Sequence, residues 1–484
     1  MKARRKPGFL ILTLCTNTIS QYNNCIGMYP LPLFILNETG GLLSILLVFI
    51  LFFVSLLVSI YTKVSLLYPL ILGLVCFTLL SLSRGYRFAD VVRMMAAGSK
   101  KSLIVIKIFV LIGMITAVWR ACGTVSFIVY YGIAFMDPHY FLLYAFVLSS
   151  IVSFLLGTSF GTVGTVGVVL GVLAQSGGVD INIAAGAIIA GAYFGDRCSP
   201  MSSSANLVAA LTETKLYINI KNMMTTSIMP FFLSIIGYIL LSRYYPLSFP
   251  DTAISQEIAQ AFDLHSIVLL PALIILLAAA FKVDVKISMG VSILCGIAIS
   301  LFIQQQTLWQ MLHYILTGYT TDKTGYFSTI IQGGGLSSML NAALIVLLSS
   351  AYSGIFAGTN LLDKIEQSID KLSNLAGTYV SVLFTSIVTA AFSCNQTLAV
   401  MLSHQFSTSI YEKRKLSNYQ LALDLENTVI VISALIPWNI AGAVPAATLS
   451  ANESFIPYAL YLYLVPLTSL FLRTVKKGSR QPAL

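Results

Sequence analysis

The chain has 484 residues, of which 57% are apolar and only 10% charged, with a mean hydropathy of +0.87. A soluble domain usually carries about 25% charged residues, so this chain cannot coat a water-facing surface and its natural solvent is a bilayer. That excludes a soluble enzyme with an anchor, a secreted disulfide scaffold and a nucleic-acid binder, although the net charge is +10. At roughly 20 apolar residues per span and about 15 per connection, the length predicts about 14 crossings. The basic start, Met1 to Lys6, lacks a convincing cleavage site after it and reads as an uncleaved cytoplasmic N-terminus. Residues 9–35 are too polar for a plain span and read as interfacial or partly inserted. Apolar runs follow at 42–62, 66–82, 103–133, 140–156, 163–175, 183–212, 225–242 and 265–281. The second half continues at 287–303, 329–357, 376–392, 396–410, 427–449 and 455–472. Runs 103–133, 183–212 and 427–449 carry internal Gly, Pro, Ser or Asn and are predicted to be broken or re-entrant helices. Irregular backbone survives at membrane depth only where protein or a wet cavity satisfies it.

Two segments echo one another. Superposing Pro200 on Pro437 sets Ala209-Ala210 on Ala446-Ala447 and Ser202 on Asn439. Upstream, Ser159 to Thr165 faces Ser393 to Thr397, and Trp119 to Thr124 faces Ser349 to Gly354. Three matches in order indicate a duplication. Charge gives its orientation. Residues 84–107 carry Arg84, Arg87, Arg93, Lys100, Lys101 and Lys107 and belong on the cytoplasmic side. The linker 243–264, with Asp251, Glu257 and Asp263 against Arg243, reads as external; the tail with Arg473, Lys476, Lys477 and Arg480 reads as internal. The expectation is an all-α polytopic membrane protein of two inverted repeats with broken helices, as in secondary transporters. Its parts are an N-terminal segment 1–41, a first repeat 42–242, an external linker 243–264, a second repeat 265–472 and a basic cytoplasmic tail 473–484.

Ionisable groups are costly in hydrocarbon and mark candidate sites. Asp196 precedes the Ser199-Pro200 break and can hold a cation or proton, pair with Arg197, or cap. Ser199, Ser202, Ser203, Ser204 and Asn206 offer oxygens that can replace an ion's water shell, or cap the break. Ser159, Thr162 and Thr165 in the first half face Ser393, Asn395 and Thr397 in the second; small-residue helix packing is the plainer explanation of each. Asp424, Asn427 and Thr428 share a helical face, with Glu426 pointing elsewhere. Arg120 sits deep in its apolar run, where a guanidinium can clamp a carboxylate or pair with Asp196, Asp424 or Glu426. The glycine strings lack the Gly-Lys-Ser of a phosphate loop, the seven cysteines form no CxxC pair, and the histidines have no ligand spacing. No cofactor and no metal other than a transported Na⁺ is expected, and no ATP or hydrolase motif supports a pump or an intramembrane enzyme.

Residues 157–167 (GTSFGTVGTVG), 191–196 (GAYFGD), Ser199-Pro200 and 435–439 (LIPWN) resemble the NhaC-type sodium/proton antiporters of bacterial membranes, as do Arg84-Gly85-Tyr86 and Trp119 with Gly123-Thr124. The likeness runs from about residue 42 to the end. It implies an ion-transporter fold in the inner (plasma) membrane, coupling to Na⁺ or H⁺, an assembly that is often a homodimer, and electrochemical exchange of cations. Some relatives move carboxylates or amino acids. Against the family pattern, Ser203 and Asn427 stand at acidic positions and Arg120 at an apolar one. Those departures keep an ion-coupled carboxylate or amino-acid transporter as the alternative; a channel is a third reading.

Overall fold

A computed structural model describes residues 43–62, 64–65, 67–248, 253–281, 283–321, 331–359, 377–393 and 395–478. The expectations for the N-terminal segment 1–41 with its residues 9–35, for Asp251 and for the last six residues lie outside them. Among the described residues the regular structure is helical, joined by turns and short connections, with one isolated bridge between Tyr319 and Gly333.

The first half runs α1 (Leu43–Thr62), α2 (Leu67–Ser83), α3 (Phe88–Ala121), α4 (Thr124–Phe135), α5 (Phe141–Leu156) and α6 (Ser159–Ser176). It continues with α7 (Ile181–Cys198), α8 (Ser203–Leu211) and α9 (Leu216–Tyr244). A connection containing α10 (Ala253–Ala261) leads to α11 (Leu270–Ala280), α12 (Val285–Phe302), α13 (Leu308–Thr317) and α14 (Leu340–Thr359). Then come α15 (Thr378–Ser393), α16 (Gln396–Lys413), α17 (Asn418–Leu435), α18 (Ile440–Thr448) and α19 (Leu460–Gly478).

The predicted breaks occur, each for a local reason. α3 ends at Cys122 and Gly123, whose φ of 84° is a left-handed conformation that glycine takes without strain, and α4 leaves at 66°. α7 and α8 part at Ser199–Ser202, where Pro200 has no N–H to continue a helix. α17 and α18 part at Pro437 with a bend of 52°. Further breaks separate α5 from α6, at Gly157 and Thr158, and α15 from α16. Residues Val163–Gly167 form one π-helical turn within α6, a feature that often accompanies functional sites.

The halves keep one register. Helices α15, α16, α17 and α18 begin at 378, 396, 418 and 440, each 237 residues after α5, α6, α7 and α8 at 141, 159, 181 and 203. The capping residues keep the same interval: Thr158 with Asn395, Asp180 with Ser417, and Ser202 with Asn439. A side-chain oxygen at each of these positions accepts an N–H that would otherwise be orphaned at a helix start. This register agrees with the Pro200–Pro437 superposition but corrects the upstream match: Gln396, not Ser393, stands level with Ser159.

By length and composition, four described helices suit a membrane crossing (Pro138–Leu156, Ser159–Ser176, Leu216–Tyr244 and Val285–Phe302), and the α3–α4 and α17–α18 bent pairs add up to two more. Six shorter apolar helices accompany them, so not every apolar run is a full straight span. Ile228, Phe232, Ile236 and Leu240 line the outside of α9, all more than half exposed; a contiguous apolar stripe of this kind suits lipid rather than water. Inside, Phe52 meets Tyr352 at a tilt and Phe77 meets it edge-on, tying α1 and α2 to α14.

Candidate functional site

Three helix breaks converge on Asp196. A Cβ on Gly157 would meet the main chain of Met201, so the α5–α6 break lies directly against the α7–α8 break. Gly195 is pressed on the main chain of Ser153 and Phe154, which holds the last turn of α7 against α5. Asp196 is 5% exposed in that turn. Ser159 Oγ donates to its Oδ2 at 3.4 Å and Ser202 Oγ to its Oδ1 at 3.5 Å. Ser202 and Ser204 also donate to the Asp196 main-chain carbonyl, the latter at 2.8 Å. The Gln396 amide reaches the same carboxylate from the second half while donating to Ile430 O at 3.1 Å. Ser159 and Gln396 occupy equivalent positions in the two halves, so one acid is addressed by both. Tyr193, one turn earlier, spans the halves by donating to Ala441 O at 2.8 Å.

Glu426, on α17, is 1% exposed, and neither carboxylate oxygen has a hydrogen-bond partner. It interacts electrostatically with Arg197 and Asp196. Arg197 is fully buried and held by neutral groups: Ser227, Thr226 at 2.9 Å, Tyr461 at 3.1 Å and Asn427, from α9, α19 and α17. Asn427 in turn donates to Ser469 at 3.0 Å. Asp424 does a different job. It is closed off by Arg473 and Tyr411, and Arg473 lies over the Tyr379 ring, a buried ion pair that locks α17 to α19.

The other sequence candidates divide by role. Ser199 accepts from Met201 N at 3.1 Å and shapes the turn. Asn439 caps α18 and donates to Ala390 O at 2.8 Å, and Asn395 caps α16. Thr162 Oγ1 returns to Thr158 O at 2.8 Å, and Ser393 Oγ donates to Asn395 O at 2.9 Å. Ser203, Asn206 and Thr397 are exposed, and Asn206 donates to Ser202 O at 2.6 Å.

Arg120 is not brought to this group. It lies in the last turn of α3, with Nη1 against Gly333 and Gly334 and a buried Nε without a partner. The adjoining break is held by Gln304, which donates to Cys122 O at 3.4 Å and Asp263 O at 3.0 Å. Arg120 therefore marks the end of α3 beside the 243–264 connection, and the buried base beside Asp196 and Glu426 is Arg197. Sequence reasoning passed over Arg197 as a neighbour of Asp196; its own signal was a base in an apolar helix. Gln396 was legible only through the 237-residue register.

The cluster offers one carboxylate ringed by hydroxyls and an amide, and a second carboxylate with no ligand. The first set suits a hard monovalent cation, whose water shell such oxygens replace. The second can be neutralised only by a proton or cation delivered to it.

Comparison with known proteins agrees in kind. Residues 191–477 match the Na+/H+ antiporter family. The Na(+)/H(+) antiporter NhaC of Alkalihalophilus pseudofirmus is 29% identical over 393 residues, covering 79% of this chain and 84% of the relative. The NhaC of Bacillus subtilis is 28% identical over 417 residues, covering 84% and 92%. The malate-2H(+)/Na(+)-lactate antiporter of Bacillus subtilis is 26% identical over 390 residues, covering 78% and 83%.

Proposed function

The chain belongs to the Na+/H+ antiporter family, and from that premise we propose that it exchanges Na⁺ for H⁺ at Asp196 and Glu426. It is a membrane-embedded secondary transporter. The observation that carries the site assignment is the contrast between two adjacent buried acids: Asp196 surrounded by Ser159, Ser202 and Gln396, and Glu426 with no hydrogen bond. Na⁺ is held by the Asp196 carboxylate with the Ser159 and Ser202 hydroxyls, while the Gln396 amide N–H fixes the carboxylate from the second half. A proton on either acid removes the charge that holds the ion. Na⁺ and H⁺ thus exclude one another, which is the condition for exchange rather than co-transport. The breaks supply main-chain dipoles and hinges at this depth.

The orientation proposed is 84–101 and 473–484 in the cytoplasm with 243–264 outside. It is supported by α3, whose 34 residues span about 51 Å at 1.5 Å per residue and carry Arg93 near one end, while Gln304 ties the break at the other end to Asp263. In proteoliposomes with an internal pH dye, an imposed Na⁺ gradient should drive proton movement that Asp196→Asn and Glu426→Gln abolish. Wild-type rates in both variants would remove these acids from the mechanism.

A second reading, coupled exchange of a small carboxylate, is favoured by the unpartnered Nε of Arg120 and by what the malate–lactate relative is named for. It predicts that malate or lactate accelerates the flux and that Arg120→Leu removes only that acceleration. Flux indifferent to both acids would exclude it for those solutes.

A further inference from the structure

We propose that Arg197 sets the valence selectivity of this cation site: its caged positive charge leaves Asp196 and Glu426 with a net charge of one negative, matched to a monovalent ion and mismatched to a divalent one. The inference rests on the assignment of Asp196 and Glu426 as the cation-binding acids.

The cage supports this by what it lacks. A buried charge is ordinarily paired with an opposite one. Here Nη1 and Nη2 go to the Ser227, Thr226 and Tyr461 hydroxyls, the Asn427 amide oxygen and the Met223 carbonyl, and Nε goes to nothing. None of these partners carries a charge. Asp424, the other acid on α17, is engaged by Arg473. The guanidinium is thus fixed in position by three helices while its charge stays available to the neighbouring pair, through the electrostatic interaction it has with Glu426. Arg197 is a positioning charge; it cannot be a cation ligand. Among the described residues, no group of three or more His, Cys, Asp or Glu side chains converges that could restore divalent affinity.

The charge difference acts more strongly on a divalent ion, because Coulomb energy scales with the ion's charge. Cancelling Arg197 should therefore raise Ca²⁺ affinity far more than Na⁺ affinity. Asn427→Asp does this with little change of shape, since Asn427 Oδ1 already accepts from Arg197. Arg197→Gln does it by deletion, and Arg197→Lys keeps the charge while losing the fork. The readout is ligand-induced thermal stabilisation of the purified full-length protein in detergent, titrated with NaCl or CaCl₂ at constant ionic strength. Wild type should be stabilised by Na⁺ and indifferent to Ca²⁺. Asn427→Asp should gain a Ca²⁺ response at a concentration about tenfold or more below any seen in wild type, and so should Arg197→Gln where it folds. Adding Glu426→Gln to Asn427→Asp returns the net charge to one negative and should remove the gain.

A folded Asn427→Asp that responds to Na⁺ but not to Ca²⁺ overturns the proposal. So does an Arg197→Lys that gains the same Ca²⁺ response, because shape rather than charge would then be responsible. A wild type with no Na⁺ response, or an Asp196→Asn variant that keeps it, overturns instead the assignment of the cation site.

Discussion

Asp424 and Glu426 lie two residues apart on α17, and their surroundings assign them opposite roles. Asp424 is fully buried with Arg473 and Tyr411 bonded to its carboxylate. Removing one partner of such a pair costs about 3–5 kcal/mol. Because 29% of the Arg473 side chain is exposed and can rehydrate, Asp424→Asn should fall at the lower end, near 3 kcal/mol. Glu426 makes no hydrogen bond, so Glu426→Gln removes none. The variant loses an ion whose burial costs several kcal/mol and gains an amide whose unmet hydrogen bonds cost about 1–3 kcal/mol. The net effect is zero or stabilising. Thermal unfolding of the variants in one detergent and in Na⁺-free buffer gives the order: Glu426→Gln at or above wild type, Asp424→Asn well below. The double change Asp424→Asn with Arg473→Met should recover part of the loss. Transport should be absent from Glu426→Gln despite its stability. A Glu426→Gln protein as unstable as Asp424→Asn, or one that exchanges normally, refutes the reasoning.

Other outcomes follow from packing and topology. Gly195→Ala would drive a methyl group into the main chain of Ser153 and Phe154; it should lose about 1–3 kcal/mol or more and displace Asp196, so both melting temperature and exchange rate fall. Gly290→Ala is the control: no atom lies within 4 Å of its added Cβ, and a helix-interior alanine should be neutral or stabilise by up to about 1 kcal/mol, as a parallel melt would show. In a background without native cysteines, an impermeant thiol reagent applied to intact cells should label Asp263→Cys, whereas Arg84→Cys should require access to the cytoplasmic face. Labelling of both from one side would contradict the proposed orientation.

Helix positions were legible because lipid leaves a plain signature: long apolar runs, with interruptions only where the backbone must be satisfied from within. The breaks at Gly123, Pro200 and Pro437 could be read from residue type, since glycine and proline have local effects that tertiary context seldom reverses. The break after Gly157 was less plain, because the run of glycines around it can pack helices as readily as end them. The site was only half visible. Asp196 stands out as an acid in an apolar run, but Gln396 belongs to it only through a register that three residues of misalignment conceal. Arg120 and Arg197 look alike in sequence, both being bases in apolar surroundings. What separates them is where each helix ends: α3 carries Arg120 against Gly333 and Gly334, while α7 delivers Arg197 to α17. Capping serines and asparagines at the breaks mimic ion ligands because both tasks need a side-chain oxygen; only the bonding of Ser199, Asn395 and Asn439 to main-chain groups tells them apart.

Competition between Na⁺ and H⁺ at Asp196 is the central claim, and proton release on Na⁺ binding measures it directly. Weakly buffered, detergent-purified protein is titrated with NaCl while a pH indicator records the protons set free, with choline chloride as the blank. The account predicts that Na⁺ liberates protons from wild type and none from Asp196→Asn. Saturable Na⁺ binding with no proton release, or equal release from Asp196→Asn, would contradict it.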